Sequence, residues 1–366
     1  MKISKLVIAE CRIPLPNIIR LGPTQISTRD FVVLRMETDA GIFGEAIGYT
    51  RGTALFDSLE IMAHRVVGRD PLMRRALIRW LETTNVPGQS AFSRAYSLLD
   101  IACWDVLAKK SGMPLFALLG GLRTEVPVTA VAGYYMDIRP LSDIRDEVSR
   151  YFDSGYSRVK IMLKGDDPQF DHRYLTEIAN VDRGPIAADA HWSWDTLTPA
   201  QTFCRDLDEY HLDFLEDPFC AQDIQLTHQL QASIKTPIAA GEDVIGARTL
   251  LHLINGIGIL RVDATTCGGI TGAVEAIHHA WGAGRTVLPH VWSPIHIQLA
   301  CAFSNVEGVE YIAQEVGADP IEKLLKNVPK LTCSNMRASP EPGIGVLLNW
   351  DQVEKLASRT KTIAGA

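Results

Sequence analysis

Six acidic or basic residues, Asp189, Glu216, Glu242, Asp263, His290 and Glu315, each close a short apolar run, and the steps between them are 27, 26, 21, 27 and 25 residues. Three carboxylates in succession, with no thiolate or imidazole among them, form a hard oxygen donor set. Asp189, Glu216 and Glu242 therefore suit Mg²⁺, one ion per chain, with coordination left for substrate oxygens. An isolated acid at a strand end can equally cap the next helix, but three aimed at one point make a cation site. Next in order come Asp263 and His290. An aspartate beside a histidine fixes the ring's tautomer and raises its basicity, as a general base requires.

Two more residues could move protons. Lys160 lies within the run SRVKIML; beside a cation in a cavity it should have a depressed pKa and could serve as acid, base or electrophile. His191 follows Asp189 by two, so in an extended strand it would face the same side.

The elements that would position these groups are legible in outline. A strand, a loop and a covering helix take about the observed interval in a (β/α) barrel of ~250 residues, whose strand C-termini converge on one cavity. Eight strand-like runs, VPVTAVAGYY, SRVKIML, PIAADA, FLEDP, PIAAGE, ILRVDA, TVLPH and EYIAQE, alternate with helix-length stretches. Ahead of them, residues 3–15 and 31–48 alternate as strands, the latter turning at Thr38-Asp39-Ala40-Gly41, and residues 53–110 carry helical periodicity ended by Gly112 and Pro114. The reading is α/β: a closed barrel of eight parallel strands over 126–330, preceded by an α+β unit over 1–125. The tail 331–366 should fold back on that unit.

Composition narrows the function. The 366 residues are 46% hydrophobic and 22% charged with a formal net charge of −7, which argues against nucleic-acid or anionic-membrane partners. Seven cysteines without C-x-x-C spacing suggest reduced thiols and a cytoplasmic location. The N-terminus lacks the features of a secretory signal, and no apolar run approaches the ~20 residues that span a bilayer.

The chain resembles the enolase superfamily, and within it the mandelate racemase-like group. The likeness rests on LLDIACWDVLAKKSGMPLFALLGG (98–121), Glu216-Asp217-Pro218, Gly241-Glu242, CGGITGA after Asp263, and Pro289-His290. It implies a modified TIM barrel, (β/α)7β, under an α+β capping domain, and Mg²⁺ on Asp189, Glu216 and Glu242 stabilising the enediolate formed when a base removes the proton α to a carboxylate. It also implies Asp263–His290 as the dyad, Glu315 as the eighth-strand acid that hydrogen-bonds the substrate carboxylate, and a homo-oligomer. Two departures matter. Where relatives often carry Lys-x-Lys, Val159-Lys160-Ile161-Met162 puts Met162 in the second base position, with Lys164 two residues further on. Where many have Asp-x-Asn, Asp189-Ala190-His191 is similar to galactonate-type acid-sugar dehydratases, whose histidine protonates the departing 3-hydroxyl. One base is lost and one leaving-group acid gained. The expected activity is therefore dehydration of a monocarboxylate sugar acid (an aldonate) to a 2-keto-3-deoxy acid. The alternative is a racemase or epimerase of a 2-hydroxy acid or related carboxylate, using His290 and Lys160. Cap residues near Arg20, Thr24, Tyr49 and Arg51 would reach over the barrel mouth, Arg20 or Tyr49 touching the distal end of the substrate, and Trp192 and Trp292 would narrow the pocket.

Overall fold

The alternating N-terminal sequence forms three antiparallel strands, β1 (Ile3–Leu21), β2 (Thr24–Thr38) and β3 (Phe43–Tyr49). The computed structural model describes the whole chain apart from residues 22–23, 85–88, 182, 333 and 366. The β2–β3 turn is closed by the Gly41 N–H donating to the Thr38 carbonyl at 3.1 Å, with Gly41 at φ +75°, a conformation that glycine adopts freely. β1 and β2 run further than their alternation indicates. The register shifts between Pro14 and Ile19, where proline cannot donate to a ladder, and pairing resumes at Ile19 opposite Ile26. That extension brings Leu21, Ile26 and Arg29 to a shared cavity with the barrel residues.

Helices Leu55–Val66, Arg74–Thr84 and Gln89–Ser111 complete the N-terminal unit. The last lies so close to β3 that a Cβ on Gly44 would sit 2.0 Å from the Ala102 carbonyl oxygen, so only glycine fits there.

Eight parallel strands follow: β4 (Glu125–Ala132), β5 (Arg158–Met162), β6 (Ile186–Asp189), β7 (Leu215–Glu216), β8 (Ile238–Ala240), β9 (Ile259–Leu260), β10 (Thr286–Val287) and β11 (Val309–Tyr311). They pair in chain order from β4 to β10, and β11 pairs β4. The ring closes through Val287, which donates its N–H to Asn305 and accepts from Glu307. Among the described residues seven helices alternate with these strands, giving a (β/α)7β barrel under an α+β cap. Beneath the mouth, Ala187, Phe214, Ala239, Ile259 and Leu288 form a buried apolar plug. Four of these precede Asp189, Glu216, Arg261 and His290 by two residues, so by strand alternation each shares a face with a polar residue above it.

β12 (Leu331–Thr332) and β13 (Asn335–Arg337) add to β4 in antiparallel fashion, and β14 (Ala357–Ala364) pairs with β1 in the cap sheet. Two buried carboxylates stitch the tail to the cap. Glu45 accepts from the Leu348 N–H at 2.9 Å and the Trp350 indole at 2.7 Å; Asp105 accepts from Glu45 N–H at 2.8 Å and Ile344 N–H at 2.9 Å. The six described cysteines are free, and Cys333 lies outside the described residues. No described helix is long and apolar enough to cross a membrane.

Candidate active site

The residues singled out by type and spacing gather at one end of the barrel, with one exception. Lys160, Asp189, His191, Glu242 and His290 line a single cavity of about 470 Å³, its opening to solvent included. Asp189 and Glu216 end their strands, whereas Glu242, Asp263 and His290 lie two or three residues past theirs. His191 also lies beyond its strand, at φ +46°. It reaches the cavity through a left-handed turn rather than by strand alternation.

Glu315 is the exception. β11 ends at Tyr311, and Glu315 sits exposed on a 3-10 turn (Gln314–Val316), on the side of Tyr151, Tyr156 and Tyr311. Glu310, inside β11 and fully buried, faces the site instead. Strand alternation turns its neighbour Tyr311 the other way.

Asp263 and His290 form a tight dyad. His290 Nδ1 lies 3.0 Å from Asp263 Oδ2, so Nδ1 donates to that carboxylate and Nε2 is the nitrogen left for other partners. Asp263 Oδ1 is held by the Thr265 N–H and hydroxyl, both at 2.7 Å, and Trp292 Nε1 donates to Oδ2 at 3.3 Å. Burial pushes the Asp263 carboxyl up, but the His290 hydrogen bond and charge outweigh it and bring it down to about 2. His290 Nε2 stands 3.5 Å from Glu242 Oε1.

Lys160 is surrounded by acids. Its ammonium lies 2.5 Å from Glu310, 2.8 Å from Glu216 and 3.1 Å from Asp189. Burial alone would lower its pKa; the three carboxylates overcome that and push it well above the usual lysine range. The residue is a fixed cation. Met162 lines the cavity, while Lys164 points away toward Asp166 and Phe170.

Arg261 is the residue that spacing missed. It is wholly buried, with Nε 2.8 Å from Glu216, Nη2 2.5 Å from Glu310 and Nη1 2.9 Å from the Leu288 carbonyl. It thereby ties β7, β9 and β11 to the segment that carries His290. Its position two residues before Asp263, within ILRVDA, was the available signal. Arg51, at the cap edge, reaches Glu242 at 2.8 Å and Asp243 at 3.5 Å. Arg20 does not line the cavity and pairs with Asp137, whereas Tyr49 does and packs 4.3 Å from the Trp292 ring. Trp192 stacks on His191 at 4.3 Å.

One carboxylate oxygen each from Glu216, Asp217 and Glu242 falls within 4.8 Å of the others; Asp189 is not in that group, but shares Lys160 with Glu216. The donors fit a hard divalent ion on two grounds. Glu242 Oε2 is buried without a hydrogen-bond partner among the described residues. In addition, seven carboxylates (Asp189, Glu216, Asp217, Glu242, Asp243, Asp263 and Glu310) share four fixed cations (Lys160, Arg51, Arg94 and Arg261). Burial, followed by carboxylate neighbours, pushes Asp217 and Glu216 well above the usual range despite Arg261 and Lys160. A site that strains its own acids in this way is short of positive charge.

The family model described as enolase C-terminal domain-like matches residues 143–352, and that of the mandelate racemase / muconate lactonizing enzyme N-terminal domain matches 4–120. The chain belongs to the enolase superfamily. The protein is an enzyme, and its relatives include dehydratases and racemases. It is 28% identical to the L-talarate/galactarate dehydratase of Salmonella typhimurium, over 88% of this chain and 82% of that one. To the D-xylonate dehydratase of Haloferax volcanii it is 29% identical, over 88% and 84%. To the N-succinyl-L-Arg/Lys racemase of Bacillus cereus it is 24% identical, over 97% and 98%. The structure of L-talarate dehydratase from a Polaromonas species, complexed with Mg and L-glucarate, has the same fold, with a TM-score of 0.90, 24% identity and 100% of both chains covered.

Proposed function

We propose that this enzyme is a Mg²⁺-dependent dehydratase of a sugar acid, and that Asp189, Glu216 and Glu242 hold the ion. One observation carries the reading: the cavity holds two histidines, one held by an aspartate as a base and one not, and a methionine where a second base would stand. Bound Mg²⁺ supplies Lewis acidity toward the substrate carboxylate.

The chain's own residues do the rest. His290 Nε2 takes the C2 proton, and Asp263 stabilises the imidazolium that results. The electron pair released from the C2–H bond moves toward the carboxylate. Lys160, locked in the charged form, offsets the growing negative charge, and Glu310 orients Lys160. As the pair returns, the C3–O bond breaks and His191 protonates the departing hydroxyl, giving water and an enol that tautomerises to a 2-keto-3-deoxy acid. Burial lowers the His191 pKa against the pull of Asp189 and Glu242, which makes its protonated form a stronger acid and a scarcer one at neutral pH. Racemisation would need a second base across the α-carbon. Met162, which lines the cavity where relatives often carry that base, cannot accept a proton.

The test is incubation with Mg²⁺ and short- to medium-chain aldonates and aldarates, scored for 2-keto acid. A single strong substrate is the expected result. Deuterium entering the α-carbon of recovered substrate in D₂O, with no 2-keto acid formed, would replace dehydration by racemisation.

A further inference from the structure

Three cations line the cavity, and two are already engaged. Lys160 faces three carboxylates, and Arg51 bridges Glu242 and Asp243. The third, Arg29 on β2, has no carboxylate within 4.0 Å among the described residues. Its Nε donates to the Ala318 carbonyl at 2.9 Å, which fixes the plane of the guanidinium, and its Cζ stands 5.4 Å from the centre of the Tyr49 ring. Neither Nη group makes a hydrogen bond to a described residue. Buried Asp319 feels the Arg29 charge without forming an ion pair within that distance. Arg29 is thus a pre-oriented, half-buried guanidinium with its outer fork unused, on the cap side of a cavity whose barrel side is crowded with acid.

A guanidinium fork matches a carboxylate in shape and charge, and a hydroxymethyl group in neither. We propose that Arg29 docks a second, distal carboxylate, so that the substrate is a sugar diacid, an aldarate, rather than the monoacid suggested by the Asp-Ala-His motif. The proposal rests on the dehydratase reading. Leu21 and Ile26 from the same hairpin offer the distal end no competing charge.

Matched acids that differ only at the terminal carbon test this directly. With Mg²⁺, the wild type should turn over galactarate or glucarate with kcat/KM roughly 10- to 150-fold above galactonate or gluconate, the span of one hydrogen bond to a charged group. In Arg29→Met the ratio should fall to near one, chiefly through KM, while Arg29→Lys keeps part of it. Aldonates used as well as aldarates, or an unchanged ratio in Arg29→Met, would overturn the proposal. A second measurement does not depend on turnover: Mg²⁺-loaded His290→Asn protein, with and without Arg29→Met, titrated calorimetrically with the same pairs. Arg29-dependent preference for the diacid in binding, with no acid dehydrated by the wild type, would retire the dehydratase reading and keep the subsite. Equal binding of the two acids, or binding of neither, would remove the subsite.

Discussion

Replacing Arg261 with methionine tests the electrostatic frame of the site. The side chain is wholly buried and donates to Glu216, Glu310 and the Leu288 carbonyl at 2.5–2.9 Å. Methionine fills part of the space but supplies no charge and no donor. Glu216 and Glu310 would then share Lys160 alone. Removing one partner of a buried ion pair costs about 3–5 kcal/mol, because the remaining charge stays buried. At roughly 2.1 cal/mol/K per residue, a chain of 366 residues unfolds with an entropy of about 0.77 kcal/mol/K. The melting midpoint should therefore fall by about 4–7 °C in calorimetry at neutral pH with the metal chelated. Mg²⁺ affinity should weaken about 10- to 100-fold as Glu216 loses its orientation. Arg261→Lys keeps the charge but cannot reach both acids and the carbonyl together, so it should fall between the two. A methionine variant that melts within about 1 °C of the wild type and binds Mg²⁺ normally would show that Arg261 positions nothing.

Three further outcomes follow from the geometry. His290→Asn should lose about 10²- to 10⁴-fold in kcat while keeping its Mg²⁺-dependent rise in melting temperature; near-normal turnover would remove His290 as the base. Mg²⁺ at ~100 times its Kd should stabilise the native chain by about 2.7 kcal/mol, or about 3–4 °C, and chelation should abolish turnover; a midpoint indifferent to Mg²⁺ would argue against the carboxylate site. Asp100, far along the cap helix, is pushed up to about 6 by burial despite hydrogen bonds from the Thr271 N–H and hydroxyl. A carboxyl raised in the folded state binds its proton more tightly there than unfolded, so its contribution favours folding below about pH 4 and declines as pH rises through about 6. Asp100→Asn should accordingly stabilise by up to about 3 kcal/mol at pH 8 and have little effect below pH 4, read from melts across that range; a pH-independent difference would refute the assignment.

Much of the frame was legible because a barrel repeats. Each repeat ends at the same face, so the spacing from Asp189 to His290 located the residues of that face even where the hydrogen-bonded strands proved only two to four residues long. The spacing failed at the eighth strand for a physical reason. A repeat length places the mouth, but strand alternation decides which residue faces in, and EYIAQE offers acids at both ends. Counting from His290 selects Glu315; the pairing of Val309–Tyr311 with β4 selects Glu310. For Lys160, spacing pointed to Asp189 and Glu216 as neighbours but not to Glu310, the third acid that its ammonium meets. Arg29 escaped notice because only the folded chain shows its Nε bound to the returning segment at Ala318 and its outer donors without a partner among the described residues.

Backbone geometry explains why these side chains meet at all. Nine non-glycine residues among those described have positive φ, and seven of them (Arg51, Tyr135, His191, Trp192, Asp217, Val291 and Trp292) lie at the cap edge or directly beyond a barrel strand. Such conformations cost roughly 1–3 kcal/mol each and persist only where the surroundings over-determine them. Here the determinants are visible. The Trp192 N–H donates to the Asp217 carbonyl at 2.8 Å, the Val291 N–H to Glu310 at 3.0 Å, and the Trp292 indole to Asp263. His191 itself adopts such a conformation, and Val291 and Trp292 do so directly after His290; both histidines line the cavity. Acids and histidines in the right order would therefore not suffice. The buried hydrogen bonds that hold these turns are as much a part of the site as the groups they aim.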